Sequence, residues 1–269
     1  MSAPSRSALL ALLLMVSAAG PAFAQANLAP GAGLSGPRVA LERLLALNAA
    51  SHLNGPEGRA LLTGELASLD RPSIGPLVPP DALVALTGGK AVARIPAHGD
   101  DAPDLYLYLR QGPDGHWTIE AARTLALTGL TRELRRMLRA IPHRTADLEA
   151  GLRNAELTLA SDQALRTWFA ENRASLERLR GIAEGGGTPP DEVERVVESP
   201  QVTRLLGDLH AILVRISHVG VVSVTIGGIL DNSVGFLHAP NPAVVPAIDP
   251  SDHIWIEPVG DGWYLFKTT

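Results

Sequence analysis

The sequence predicts an α+β protein built as two consecutive units, each of helices followed by antiparallel strands, behind an export signal. Apolar residues recur at helical spacing in two separate stretches, first near 38–69 and again from 131 to 179. Each stretch gives way to segments that alternate with period two, of which 104–110 is the cleanest. The links between successive C-terminal strands are too short for helical crossovers, which favours antiparallel pairing.

Met1 to Ala24 has the three parts of a secretory signal peptide. Arg6 and the amino terminus are positive, Ala8 to Val16 is an apolar run, and Ala22-Phe23-Ala24 is a small-x-small cleavage site before Gln25. The run is shorter than the ~20 apolar residues of a spanning helix, and no Cys follows the site to take a lipid. Cleavage after Ala24 removes Arg6 and takes the formal charge from −5 to −6. That mild acidity argues against nucleic-acid binding. No later run is long enough to form a transmembrane segment in the mature chain. The chain has no cysteine, so an exported fold must be held by its core and not by disulfides. Lys90 and Lys267 are the only lysines among many arginines, a bias of GC-rich bacterial genomes. With the signal, it points to a periplasmic or secreted protein.

Residues 25–37 are rich in Ala, Gly and Pro without periodicity and read as a flexible leader, with Ser35 and Pro37 starting the first helix. Leu41, Leu44, Leu45 and Asn48 share one helical face up to Asn54-Gly55-Pro56. A second short helix is expected over Arg59 to Leu69, stopped by Pro72, Pro76, Pro79 and Pro80. Strand-like runs from Leu83 to Ile95 surround Gly88-Gly89. From Asp104 to Arg110, Leu105, Leu107 and Leu109 alternate with Tyr106, Tyr108 and Arg110. Pro113-Asp114-Gly115 then turns the chain back through Trp117-Thr118-Ile119.

Beyond Thr131 the helical period returns, with Leu134, Met137, Leu138 and Ile141 as the apolar face and Pro142 as the stop. A helix over Ala146 to Leu157 follows. The strongest helix has Ser161 as N-cap, apolar residues from Leu165 to Leu179, and Gly181 at its end. Short helical pieces are expected at Glu192 to Val197 and Val202 to Leu209. Strands are expected at Ile212 to Ile216, Val221 to Ile226, Ser233 to His238, His253 to Glu257 and Trp263 to Lys267, as an antiparallel meander. The units divide near Arg144, into 38–144 and 145–269.

One pattern occurs twice. Asp101-x-x-Asp104, a strand, Asp114-Gly115 and Trp117 are echoed by Asp249-x-x-Asp252, a strand, Asp261-Gly262 and Trp263. A duplication accounts for this, and so does the general preference of hairpins for Asp-Gly turns and aromatic returning strands. Over residues 38–127, the order of helices then strands, ending in the Asp-Gly-x-Trp-x-Ile segment Asp114 to Ile119, resembles the NTF2-like cone fold. That superfamily includes isomerases, dehydratases and many non-catalytic binding domains. The catalytic carboxylate and oxyanion-hole pair of its isomerases have no counterpart here, so the resemblance implies a fold and carries no activity.

Catalytic spacings are absent: there is no G-x-S-x-G, no H-E-x-x-H, and Thr87-Gly88-Gly89-Lys90 is too short for a phosphate loop. No cofactor is expected. His98, Asp100, Asp101 and Asp104 form the densest cluster able to ligate a hard cation, and read equally as a solvated turn. Arg132, Arg135, Arg136 and Arg139 line one helix face, either as a solvated surface or as a contact for an anionic lipid, glycan or acidic protein. Asn48 and His52, with Tyr106 and Tyr108, are candidate ligand contacts in a cone-shaped pocket. The chain therefore reads as a binding or interaction module, with an NTF2-like small-ligand receptor or enzyme as the alternative.

Overall fold

A computed structural model of the chain describes residues 35–69, 77–97, 103–190 and 194–269. The export signal and most of the expected leader lie outside these residues. Helix α1 (Ser35–Ala49) begins inside the last positions of the expected leader. The single helix expected over 59–69 is two short ones, α2 (Pro56–Leu61) and α3 (Gly64–Ser68). They are broken where Leu62 bridges Ile119 and the Thr63 N–H donates to the Ile119 carbonyl at 2.9 Å.

Strands β1 (Ala82–Leu86), β2 (Lys90–Ile95), β3 (Leu105–Gln111) and β4 (Trp117–Arg123) form an antiparallel four-stranded sheet in sequence order. Both faces of this sheet are covered. Ala93, Ile95, Leu107, Leu109 and Ile119 pack against the leucines of α1 to α3, while Val92, Tyr106, Tyr108 and Ala121 belong to the core of the second half. The alternation at 104–110 therefore separates two apolar environments and not an inside from an outside.

Helices α4 (Thr128–Arg139) and α5 (Ala146–Leu159) pack against each other. This pair straddles the expected boundary near Arg144. The face that α4 buries differs from the expected one: Thr131, Arg135 and Leu138 are buried, whereas Met137 is exposed. The four-residue repeat that buries Thr131 carries Arg135 inward with it. Helix α5 docks on the second sheet through Thr158, whose hydroxyl accepts from the Gly228 N–H at 2.8 Å. A side chain at Gly227 would meet Thr158 at 2.8 Å, so this approach needs glycine.

Helix α6 (Asp162–Gly185) is capped by Ser161, whose hydroxyl accepts from the Ala164 N–H, and it runs through Gly181. Strand β5 (Arg195–Val196) replaces the helical piece expected over 192–197, because its two residues pair with β6. Helix α7 (Pro200–Leu209) is followed by β6 (Leu213–Ile216), β7 (Val222–Ile229), β8 (Asn232–His238), β9 (His253–Gly260) and β10 (Trp263–Thr268).

The second sheet has the order β5-β6-β7-β8-β10-β9, antiparallel throughout. It is not the plain meander expected from sequence, since β10 lies between β8 and β9. Strand β3 joins its sheet by the first arm of its hairpin, whereas the β9–β10 hairpin joins by its second arm. The echoed Asp-Gly-Trp segments therefore share a turn without sharing a topology. One face of the second sheet packs against α6, with Phe169 tilted against Phe236 and Trp263. The Trp263 indole N–H donates to Glu177 at 2.8 Å.

Candidate functional site

Beyond the N-terminal end of α6, the two sheets meet. Alternation on β10 puts Trp263, Leu265 and Lys267 on one face, and the pairing of Lys267 with Trp255 sets that lysine beside an indole. The facing strands bring Arg94 opposite Tyr106. The Tyr106 ring stacks on Trp255 with centroids 5.0 Å apart, and Arg94 lies over the same indole at 5.4 Å.

Asp162, in the first turn of α6, collects the charges. Lys267 Nζ is 2.6 Å from its Oδ1, Arg94 donates to Oδ2 at 3.1 Å, and the Tyr106 hydroxyl lies 2.9 and 3.0 Å from its two oxygens. Arg94 also donates to Asp81 at 2.8 Å and to Glu257 at 2.7 Å, and Arg166 donates to the other oxygen of Glu257. Asp104 accepts from the backbone N–H groups of Asp162 and Ala97, each at 2.8 Å, and so caps the helix from the other sheet.

These contacts set the protonation states. Burial works against the charge of Asp162, but Lys267, Arg94 and the Tyr106 hydroxyl outweigh it and hold the carboxyl below its ordinary value. Burial, reinforced by the Asp162 charge, pushes Asp104 and Glu257 above theirs. Burial, with the Asp162 and Asp104 carboxylates, drives the Tyr106 phenol well up. The side chains of Lys267 and Asp162 are both 0 % exposed. Both groups are closed off from solvent, and their contacts tie residues of the first sheet to the second.

Of this cluster the sequence marks Tyr106 and Asp104, as ligand and cation contacts, and does not mark Asp162, Lys267 or Arg94. Its signals were a lysine on the apolar face of an alternating strand and an aspartate directly after an N-cap. Neither signal names its partner, because 105 positions separate Asp162 from Lys267.

The structure does not gather the expected ligand contacts. His52 is exposed at the end of α1 and Asn48 is half-buried there. Tyr106 and Tyr108 face away from α1 on the opposite side of the first sheet, where the Tyr108 hydroxyl donates to the Ile254 carbonyl at 2.6 Å. Of the expected metal cluster, His98, Asp100 and Asp101 lie outside the described residues, while Asp104 is committed to the cap of α6. In the echoed segment, Asp249 accepts from the Ser251 N–H and Asp252 lies 3.0 Å from His253 Nδ1. Among the described residues no three His, Asp or Glu side chains are grouped to hold a metal.

Of the expected anion-binding arginines, three keep exposed side chains and one does not. Arg135 is buried, Arg136 pairs with Glu133, and Arg139 pairs with Glu156 at 2.9 Å, while Arg132 is exposed. A groove of about 290 Å³ opens between α5 and α7, lined by Ala150, Gly151, Asn154, Leu206, His210 and Ile212. His210 is the one titratable group in its lining, so the groove holds no acid–base pair.

The solvent side of α4 is different in kind. Leu127, Leu130 and Met137 are exposed along one stripe of the helix, with Leu130 at 54 %. The Ala126 N–H donates to the Asn232 side chain at 3.1 Å, which brings the β7–β8 turn and its Leu230, 58 % exposed, to the start of this stripe. Leu127 and Leu230 both hold left-handed backbone, at φ 58° and 59°, which costs a leucine about 1–2 kcal/mol. Two leucines are thus held outward in a conformation that leucine disfavours.

No protein-family model, curated protein or solved structure matches this chain.

Proposed function

We propose that this is an exported, non-catalytic interaction module whose contact surface is the outer side of α4 with the adjoining β7–β8 turn. The observation that carries this reading is the exposed, backbone-strained leucine patch of Leu127, Leu130, Met137 and Leu230. The exposed guanidinium groups of Arg132, Arg136 and Arg139 on the same helix favour a partner rich in acidic groups. A non-catalytic role is supported by the closure of the Asp162–Lys267 cluster and by the single titratable group in the α5–α7 groove. Export rests on the sequence of Met1 to Ala24. The NTF2-like resemblance is supported by the order of three helices ahead of antiparallel strands, and many members of that superfamily only bind.

Co-sedimentation with phosphatidylglycerol vesicles, and retention on an immobilised sulfated glycan, test the reading. Wild type is expected to bind one of them at low salt and to release as salt rises. Replacing Arg132, Arg136 and Arg139 with Gln should remove the salt-sensitive part. Leu130→Glu with Met137→Glu should remove binding without moving the melting temperature. Equal binding by all variants, or none by wild type, would overturn the assignment of this surface.

A further inference from the structure

The two sheets have four edge strands, and three are guarded. On β4 the outer edge is met by Leu62 and Thr63. Strand β9 carries Pro258 and the ion-paired Glu257, and β5 is two residues long. Lysines, prolines, short length and covering segments are the usual ways of keeping sheet edges from pairing. Among the described residues, strand β1 has none of these. It reads Ala82-Leu83-Val84-Ala85-Leu86, five apolar residues without charge or proline, and among the described residues only β2 pairs with it.

We infer that β1 pairs antiparallel with the β1 of a second copy of this chain, centred on Val84, joining two four-stranded sheets into one of eight. The register follows from the residues. With Val84 opposite itself, Leu83 faces Ala85 and Leu86 faces Ala82, so every leucine meets an alanine and no two large side chains collide. Asp81, the one charged residue beside the strand, faces Thr87 and not a second Asp81. A shift of one position in either direction breaks these matches. The pairing is isologous, and it keeps each face of the joined sheet continuous, since even positions meet even positions. A five-residue main-chain contact is small for a stable interface, so the dimer forms and dissociates with concentration.

Sedimentation velocity across micromolar concentrations of the mature chain tests this. Wild type is expected to move from monomer to dimer as concentration rises. Val84→Lys places two ammonium groups on the two-fold axis and should leave a monomer. Val84→Glu should do the same, and an equimolar mixture of the two should restore the dimer, because only at the axis does residue 84 meet itself. Ala85→Lys, at an exposed position, should also give a monomer, and it covers the case in which a charge at Val84 disturbs the fold by circular dichroism. Wild type that stays monomeric at every concentration overturns the inference. So does a dimer that survives Val84→Lys and Ala85→Lys, or paired charges that fail to restore one.

Discussion

At the residue scale the molecule turns on Asp162. Its carboxylate sits at the positive end of a 24-residue helix, accepts from Arg94 and Tyr106 of the first sheet, and forms an ion pair with Lys267 of the second. Removing one member of such a buried set leaves its partner charged and dry, at a cost of about 3–5 kcal/mol. Lys267→Met is therefore expected to destabilise by that amount in urea unfolding, and Lys267→Met with Asp162→Asn by less than either change alone. Acid should expose the same dependence. The folded carboxyl of Asp162 is held below its ordinary value, so its stabilisation is complete above the unfolded carboxylate value and is lost as pH falls through the folded one. Asp104 and Glu257, pushed upward, act in the opposite sense: they favour the fold at low pH and cease to as pH rises through their folded values. The stability gap between wild type and Asp162→Asn is expected to narrow below about pH 4, near the ordinary Asp value. A gap unchanged down to pH 2 would remove Asp162 from this role.

At the element scale β10 matters most. It is hydrogen-bonded on both sides, among the described residues it is the only strand paired with β9, and it brings Lys267 to Asp162. Deleting Gly262 to Thr269 is expected to abolish the folded state, seen as loss of the cooperative melt in circular dichroism. A truncated chain that melts like wild type would show the strand to be dispensable. The sequence announced this strand through its aromatic residues and the Gly260-Asp261-Gly262 turn, but not its place between β8 and β9. Period and turn chemistry are local, whereas strand order depends on which edge is free when the hairpin arrives. The same limit explains α4. Spacing alone put Met137 inside and Arg135 outside, and the packing of α5 against one flank of the helix reversed both.

At the scale of the whole molecule one of the two buried clusters is built from both units. Val92, Tyr106, Tyr108, Ala121 and Leu125 of the first half lie in the same buried cluster as Phe169, Phe236, Trp255 and Trp263 of the second. The Arg123 guanidinium adds a bond to the Pro250 carbonyl at 2.8 Å. One calorimetric transition is expected, with its calorimetric and van't Hoff enthalpies equal. Two resolved transitions would show that the halves fold independently and that the joint around Asp162 is incidental.

Most helices, the strands and their turns were determined by the sequence itself, because periodicity, caps and Asp-Gly turns act within a few residues of one another. Ser161 caps α6 and Asp114-Gly115 turns β3 into β4 through contacts the sequence already contains. Only the tertiary structure decided that both faces of the first sheet are buried, that Lys267 neutralises Asp162, and that the leucines of α4 and the β7–β8 turn face solvent together. Those outcomes depend on charges and surfaces brought together from distant parts of the chain. Local pattern can mark a residue as buried or charged, but it carries no information about which distant group answers it.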